Sequence, residues 1–572
     1  QTSAFQTLCR TQFFPQPQPT PEPPSNRAQW RVAPWRYIAP WPARLREKLG
    51  ATQSLERTSL PHRMDRNVEI PKVALATGLI VPLALAIGVL LTNPFAPTTI
   101  ALVGLVLMTM MFPLWLRWHH SLLIWLWNSV FVAFFLPGRP PIWVALAALG
   151  FGLAVLTRSV SARAKFLQVR SVSLPLIILA LVVLVTIALR GGIGARSLGS
   201  DMWGSKRYLT VLGAIFGYFA LTSQTIPRPR AQLYAALFFL SGMTAILSDL
   251  VFVAGPSFYF LFNFLSVDVA ANQMLTLDTL RRFTGLAWLA QAGYWFMLLR
   301  YGITGIFDVQ RFWRLLLFIA LFMLGLFGGF RSSIILLGVL FLTQFWYERL
   351  LRTKLFPIVL VCGLLLGGFI AGYAERLPLS MQRSLTFLPI KVHPMARQDA
   401  KGSLEWRLSM WKVVIHDVPQ YLWLGKGYIF SSVDLFLIHQ SIQRGFFELY
   451  EETLVTGNYH NGLLTLVVPF GLPGAIAFSF FIFAGWRVLR CNYLYGDADL
   501  QNINTFLIAY FVARLFFYIF CYGQFDLDLM VFTGLVGLSI SLNGGVKTPP
   551  PVRALLKPLA AASPREPSTL PA

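Results

Sequence analysis

The chain has 572 residues, of which 56% are hydrophobic, 15% aromatic and only 13% charged, against about 25% charged in an ordinary soluble domain. The apolar residues fall in blocks near the ~20 residues that cross a bilayer as a helix, which excludes a water-soluble surface of this size, and the alternating segments of a membrane β-barrel are absent. The balance of 48 Lys and Arg against 24 Asp and Glu gives a formal charge of +24; no compact basic domain gathers it, so it reads as cytoplasmic loop charge rather than nucleic-acid binding.

In chain order, residues 1–71 form a cytoplasmic tail. Gln16 to Pro24 is Pro-rich and cannot build a core. Trp30, Trp35 and Trp41 alternate with Arg31, Arg36, Arg44 and Arg46, a mixture suited to an anionic headgroup layer and to membrane lipids as neighbours. No cleavable signal peptide is expected, because the first apolar block lies too far in. The cysteines Cys9, Cys362, Cys491 and Cys521 show no paired spacing, so neither a zinc site nor a disulfide scaffold is indicated.

An all-α polytopic membrane protein follows, with 12–14 spans from Val73–Leu91 to Leu529–Leu542. Spans one to eleven occupy 72–373 and precede a polar loop at 374–459, spans twelve to fourteen occupy 460–545, and 546–572 forms a second cytoplasmic tail. Alternate connections carry Arg158, Arg163, Lys165 and Arg170, then Arg228 and Arg230, Arg300, Arg311 and Arg314, Arg349, Arg352 and Lys354, and Arg487 and Arg490. That pattern puts both termini inside and the 374–459 loop outside. Within the loop, Trp406, Met410 and Val413, and Trp411, Ile415 and Val418, repeat at helical spacing. A helix is expected over about Leu404–Val418, ended by Pro419 and lying along the outer membrane surface with its Trp face down.

The candidate site residues lie where that outer loop meets the spans. His460 stands at a helix entry in Tyr459-His460-Asn461-Gly462, and Asn458 and Asn461 are placed to cap the helix. Gly471 and Gly474 are spaced to let another helix approach. Arg282 and Arg331 fall at the outer ends of spans, where cations are disfavoured. Phosphate binding by guanidinium forks is one reason for them, and snorkelling to headgroups is another. Arg514 lies mid-span, where an ionised group costs about 3 kcal/mol unless paired. It is either functional or part of a structural ion pair, with Asp249, Asp526 or Asp528 as partner. Glu451 and Glu452 are near enough in sequence to orient His460, or belong to a solvated face.

His460-Asn461, nine residues, then Gly471-x-x-Gly474 resembles the His-Asn/Ser/Gln-x9-Gly-x-x-Gly signature of the bacterial O-antigen ligase and O-antigen polymerase superfamily. Ala475 follows, where the ligase pattern usually has Gly, Thr or Tyr. Arg331-Ser332-Ser333 is similar to the family's element at a span end. Arg407-Leu408-x-x-Trp411, with Pro419 and Gly425-Lys426-Gly427, is similar to the loop pattern before its histidine. The resemblance covers about Leu174 to Leu542.

That resemblance implies a helical inner-membrane enzyme moving a glycan from undecaprenyl diphosphate to a glycan or lipid acceptor hydroxyl at the periplasmic face, with no nucleotide, cofactor or metal. His460 is then the catalytic residue, and Arg282 and Arg331, with Arg407 and Arg514 as secondary members, bind the diphosphate. Asn461, Gly471 and Gly474 are motif positions. An O-antigen or exopolysaccharide polymerase is the alternative within the superfamily. A bicarbonate-carrier-like transporter and an inactive assembly protein are alternatives outside its glycosyltransferases.

Overall fold

The computed structural model describes residues 97–549, apart from 137, 161–165, 193–201, 204, 275–280 and 445–450, with isolated positions before 97. The Pro-rich and Trp/Arg segments, most of the first expected span and the C-terminal tail lie outside the described residues. The chain divides into two units, 1–82 and 83–572, and the helices named here belong to the second.

Its helices run in order as α1 (Pro97–Met110), α2 (Phe112–Leu126), α3 (Ile142–Val160), α4 (Arg170–Arg190), α5 (Ser205–Leu221), α6 (Ala231–Leu240), α7 (Ile246–Ala254), α8 (Val267–Met274), α9 (Thr284–Ile306) and α10 (Trp313–Gly325). They continue as α11 (Arg331–Tyr347), α12 (Leu355–Tyr373), α13 (Leu379–Leu385), α14 (Pro394–Tyr421), α15 (Ser432–Gln443), α16 (Glu451–Thr456), α17 (Gly462–Tyr495), α18 (Gln501–Phe520) and α19 (Phe525–Asn543). The extended structure among the described residues is slight: two-residue strands, β1 (Met202–Trp203) and β2 (Phe430–Ser431), pair antiparallel, beside isolated bridges.

Seven helices among the described residues are long and apolar enough to cross a membrane: α3, α4, the run Arg228–Ala254 that contains α6 and α7, α12, α17, α18 and α19. Helices α10 and α11 are apolar but shorter. The fold is thus all-α and polytopic. One expected span, Ser121–Leu136, is not a helix throughout: α2 ends at Leu126 and the chain turns.

Helix α19 is buried along nearly its whole length, with Leu529, Phe532, Leu535, Val536, Leu538 and Ile540 inaccessible. It packs on α5 and α17. Rings knit this core: Phe532 lies 5.2 Å from Phe511 and 6.0 Å from Phe478, edge to face. By contrast α12 leaves Leu364, Leu365 and Phe369 exposed, a surface that lipid covers at no cost.

Helix α17 has 34 residues and breaks at Gly471, where φ is +63°. Unbroken it would extend about 50 Å, well beyond the ~30 Å apolar core of a bilayer. The break exposes backbone groups that the 422–427 connection satisfies. Leu472 N–H donates to Leu422 O at 2.6 Å, while Lys426 and Gly427 N–H donate to Val468 and Pro469 O at 2.7 and 3.0 Å. A Cβ at Gly471 would meet Leu422 O at 2.7 Å. Gly471 therefore serves a helix break and a loop contact, rather than the helix-to-helix approach expected of it. Gly474 lies next to Phe470 of its own helix and, across the interface, Val182 of α4.

Candidate functional site at the start of α17

The site is built at one end of the bundle, where α9, α11, α17 and α19 begin and α18 ends. Its organiser is α14. This helix is longer than expected, starting at Pro394 and carrying Pro419 inside its last turn. Pro419 removes only one late backbone bond, so the helix continues to Tyr421. Its inward stripe is Ala396, Ala400, Ser403, Arg407, Met410 and Val414, of which Ala396, Ala400, Met410 and Val414 are buried. Val413 and Ile415, expected on the apolar face, are exposed. The stripe packs α14 on α13 and α17, so the helix docks against protein by a polar-interrupted face.

Three arginines from three elements meet this helix. Arg282, two residues before α9, donates to Asp399 Oδ2 of α14 at 3.1 Å. Arg383 of α13 also binds Asp399 and gives a second donor to Gly329 O. Arg331, first residue of α11, donates to Ala400 O at 2.9 Å. Gly329 has φ +68°, and a Cβ there would stand 3.4 Å from Arg282 Cγ; glycine permits both the turn and the arginine beside it. Burial, then Arg383 nearby, lowers the Arg282 guanidinium to about 10 against the opposing pull of Asp399. Burial alone would push the Asp399 carboxyl up, but Arg383 and Arg282 outweigh it and hold it below the usual range.

Arg407 links this cluster to the histidine. Burial, with Arg331 and Arg383 close by, lowers its pKa, and its guanidinium lies 6.0 Å from the Tyr522 ring. His460 packs against the same Tyr522 at 5.0 Å and against Trp406 at 5.2 Å, centroid to centroid. Trp411 Nε1 donates to Tyr459 O at 2.7 Å and fixes the neighbouring backbone. Burial first, then Arg407 and Arg207, push the His460 imidazole down to about 4, so it is neutral at pH 7. Its backbone is left-handed, with φ +50°, a conformation uncommon outside glycine and one that collects at functional sites.

Asn461 caps α17: its Oδ1 accepts from Leu463 and Leu464 N–H at 3.0 and 3.2 Å. Asn458 does not share that cap, and its Oδ1 is buried without a partner. The side chains of Glu451 and Glu452 lie outside the described residues. On the other flank of His460, Arg207 of α5 pairs with Asp526 at 3.6 Å, binds Thr456 O and lies over Tyr428 at 4.8 Å.

Arg514 stands apart. It pairs with Asp528 at 2.7 Å, and Asp528 also accepts from Gln524 N–H at 2.8 Å. Asp249, another expected partner, instead accepts from Gln273 and from Leu286 N–H at the start of α9. Of the expected diphosphate ligands, the structure gathers Arg282, Arg331 and Arg407 around α14 and gives Arg514 a separate carboxylate. The sequence reading missed Arg383, Asp399, Arg207 and Tyr522 as members of the site.

Buried polar atoms without a hydrogen-bond partner include Arg282 Nε, Arg407 Nε, His460 Nδ1, Asn458 Oδ1 and Asp526 Oδ1. Such atoms are rare in folded proteins and ask for a ligand or water. Among the described residues no group of three or more His, Cys, Asp and Glu could hold a metal ion. The arrangement offers guanidinium donors for anionic oxygens next to a neutral imidazole that can accept a proton.

Residues 315–479 match the family described as O-antigen ligase. Over this segment the chain is similar to the O-antigen ligases. The matched segment runs from α10 into α17 and contains Arg331, Arg383, Asp399, Arg407, His460, Gly471 and Gly474; Arg282 and Arg514 fall outside it. No curated protein matches the chain. The family supports a glycosyl-transferring enzyme of the ligase or polymerase type, in a multi-pass membrane protein that uses a lipid-linked glycan donor and an acceptor.

Proposed function

We propose that the protein moves a glycan from undecaprenyl diphosphate to an acceptor hydroxyl at the periplasmic face of the bacterial inner membrane, as an O-antigen ligase does. The observation that carries this reading is the single polar line from His460 through Arg407 to Arg282, Arg331 and Arg383. His460 takes the acceptor proton as the acceptor oxygen forms its bond to the anomeric carbon. The bond from that carbon to the diphosphate oxygen breaks, and the charge released on undecaprenyl diphosphate meets the arginines. Attack opposite the leaving group inverts the anomeric centre. Arg282, Arg331 and Arg407 hold the diphosphate; Arg514, already matched by Asp528, supports the fold beneath them.

The outward placement follows from charge. Cations crowd the far ends of the helices, including Arg228 and Lys547 on Asp497 at 2.8 and 3.2 Å, as expected of a cytoplasmic face. The end of α19 then faces the cytoplasm.

A deletion strain complemented with wild type or His460→Ala tests the reading. Wild type is expected to consume accumulated lipid-linked glycan. His460→Ala is expected to insert normally and lose transfer by about 10²- to 10⁴-fold, the range for a general base. Full transfer by the inserted variant would remove the role of His460. Products extended by many repeats on the lipid carrier itself would mark a polymerase.

A further inference from the structure

Asp399 is the anion paired with the arginine cluster. Its carboxylate takes Arg282 at 3.1 Å and Arg383 closer still, and Arg331 closes on the carbonyl of the next residue, Ala400. This is not a balanced pair. Four guanidinium groups, from Arg282, Arg331, Arg383 and Arg407, influence one another here against the one Asp399 carboxylate, so four positive charges less one negative leave three in excess. The hydrogen bonding is unsaturated as well: Arg282 Nε and Arg407 Nε are buried without partners. The two cations on Asp399 differ from it in freedom. Arg383 has a side chain 5% exposed and is tethered to Gly329 O, while Asp399 is 32% exposed and sits on the rim of α14. Asp399 is the more exposed member of the pair, and Arg383 the one with a second anchor.

We propose that Arg383 is a further phosphate-binding guanidinium, and that the Asp399 carboxylate occupies the position of one donor phosphate and turns outward when the donor arrives. The inference rests on the diphosphate-donor reading given above. A pyrophosphate diester brings two charges and several oxygens where Asp399 brings one charge and two oxygens, which suits a cluster with both charge and donors to spare. Asp399 thus offsets the self-repulsion of the cluster and competes with the substrate for it.

The experiment measures binding of undecaprenyl diphosphate, without any glycan, to the full chain in nanodiscs at fixed salt. The variants are Asp399→Asn, Arg383→Gln and Arg383→Lys, with melting temperature followed for each. Asp399→Asn is expected to bind severalfold tighter than wild type despite a lower melting temperature. Arg383→Gln is expected to bind about tenfold more weakly or worse, with partial recovery in Arg383→Lys, since a point charge replaces a fork. Equal or weaker binding by Asp399→Asn would overturn the displacement, making Asp399 a strut that aligns the arginines. Unchanged binding by a folded Arg383→Gln would overturn the role of Arg383. If wild type itself fails to bind undecaprenyl diphosphate, the donor reading falls and takes this inference with it, an outcome separable from the other two.

Discussion

Two groups of cations, most of them partly buried, lie at this end of the bundle, and they are built differently. Arg514 faces Asp528 at 2.7 Å, with Asp528 further held by the backbone of Gln524. Arg282, Arg331, Arg383 and Arg407 surround the one carboxylate of Asp399, and two of their Nε groups find no partner. The first group is closed: charge and hydrogen bonds are used up within the protein. The second is open, with donors in surplus on Arg282 and on Arg407, whose charge also acts on His460. Burying an arginine does not by itself mark a substrate site; what marks one is buried donor capacity that the protein leaves unspent.

This contrast can be broken by substitution. The largest expected effect is on folding: Arg514→Ala leaves the Asp528 charge buried and alone, at a cost of about 3–5 kcal/mol, read as a sharp fall in melting temperature. Replacing both, as Arg514→Met with Asp528→Leu, is expected to recover most of the loss. An Arg514→Ala protein that melts like wild type but no longer binds donor would reverse the assignment of the two groups. Next come Arg282→Ala and Arg407→Ala, expected to leave the fold largely intact and to raise the donor KM about tenfold or more, from charged hydrogen bonds worth about 1.5–3 kcal/mol each.

A third test uses pH. The free-enzyme imidazole lies at about 4 because of burial and of Arg407 and Arg207. Protonation below that value removes the base, so kcat/KM is expected to hold from neutrality down to near pH 5 and then fall. A bound diphosphate cancels part of the arginine field and favours imidazolium. The acid limb of kcat, which reports the complex, should therefore lie at higher pH than that of kcat/KM; coincident limbs would separate His460 from the arginines electrostatically. The smallest effect belongs to Asn461→Ala, a lost cap worth about 1 kcal/mol, with Asn461→Ser recovering it in the melting temperature.

Much of this was legible in the sequence, for a physical reason. Apolar blocks announce spans, and Arg282 and Arg331 are conspicuous because a cation at an outer span end needs a justification. Arg383 and Asp399 were not legible, because charged residues in a polar loop attract no notice. Their meaning lies in pairings across 16 and 117 positions of sequence. The first turns of α14 were missed for a related reason. Arg397, Gln398, Asp399 and Lys401 give no apolar period, and the helix is held there by Ala396, Ala400 and the arginines. Arg514 announced itself mid-span, but which of Asp249, Asp526 and Asp528 it faced depended on packing: Asp249 caps α9, Asp526 turns to Arg207, and Asp528 remains.

The left-handed backbone of His460, φ +50°, has a consequence for durability. A side chain there carries a steric penalty of about 1–2 kcal/mol that glycine escapes. Two inactive replacements should then rank against ordinary experience: His460→Gly, normally the more disruptive change, is expected to melt above His460→Ala. The imidazole is kept at a position where the chain would rest more easily with no side chain at all.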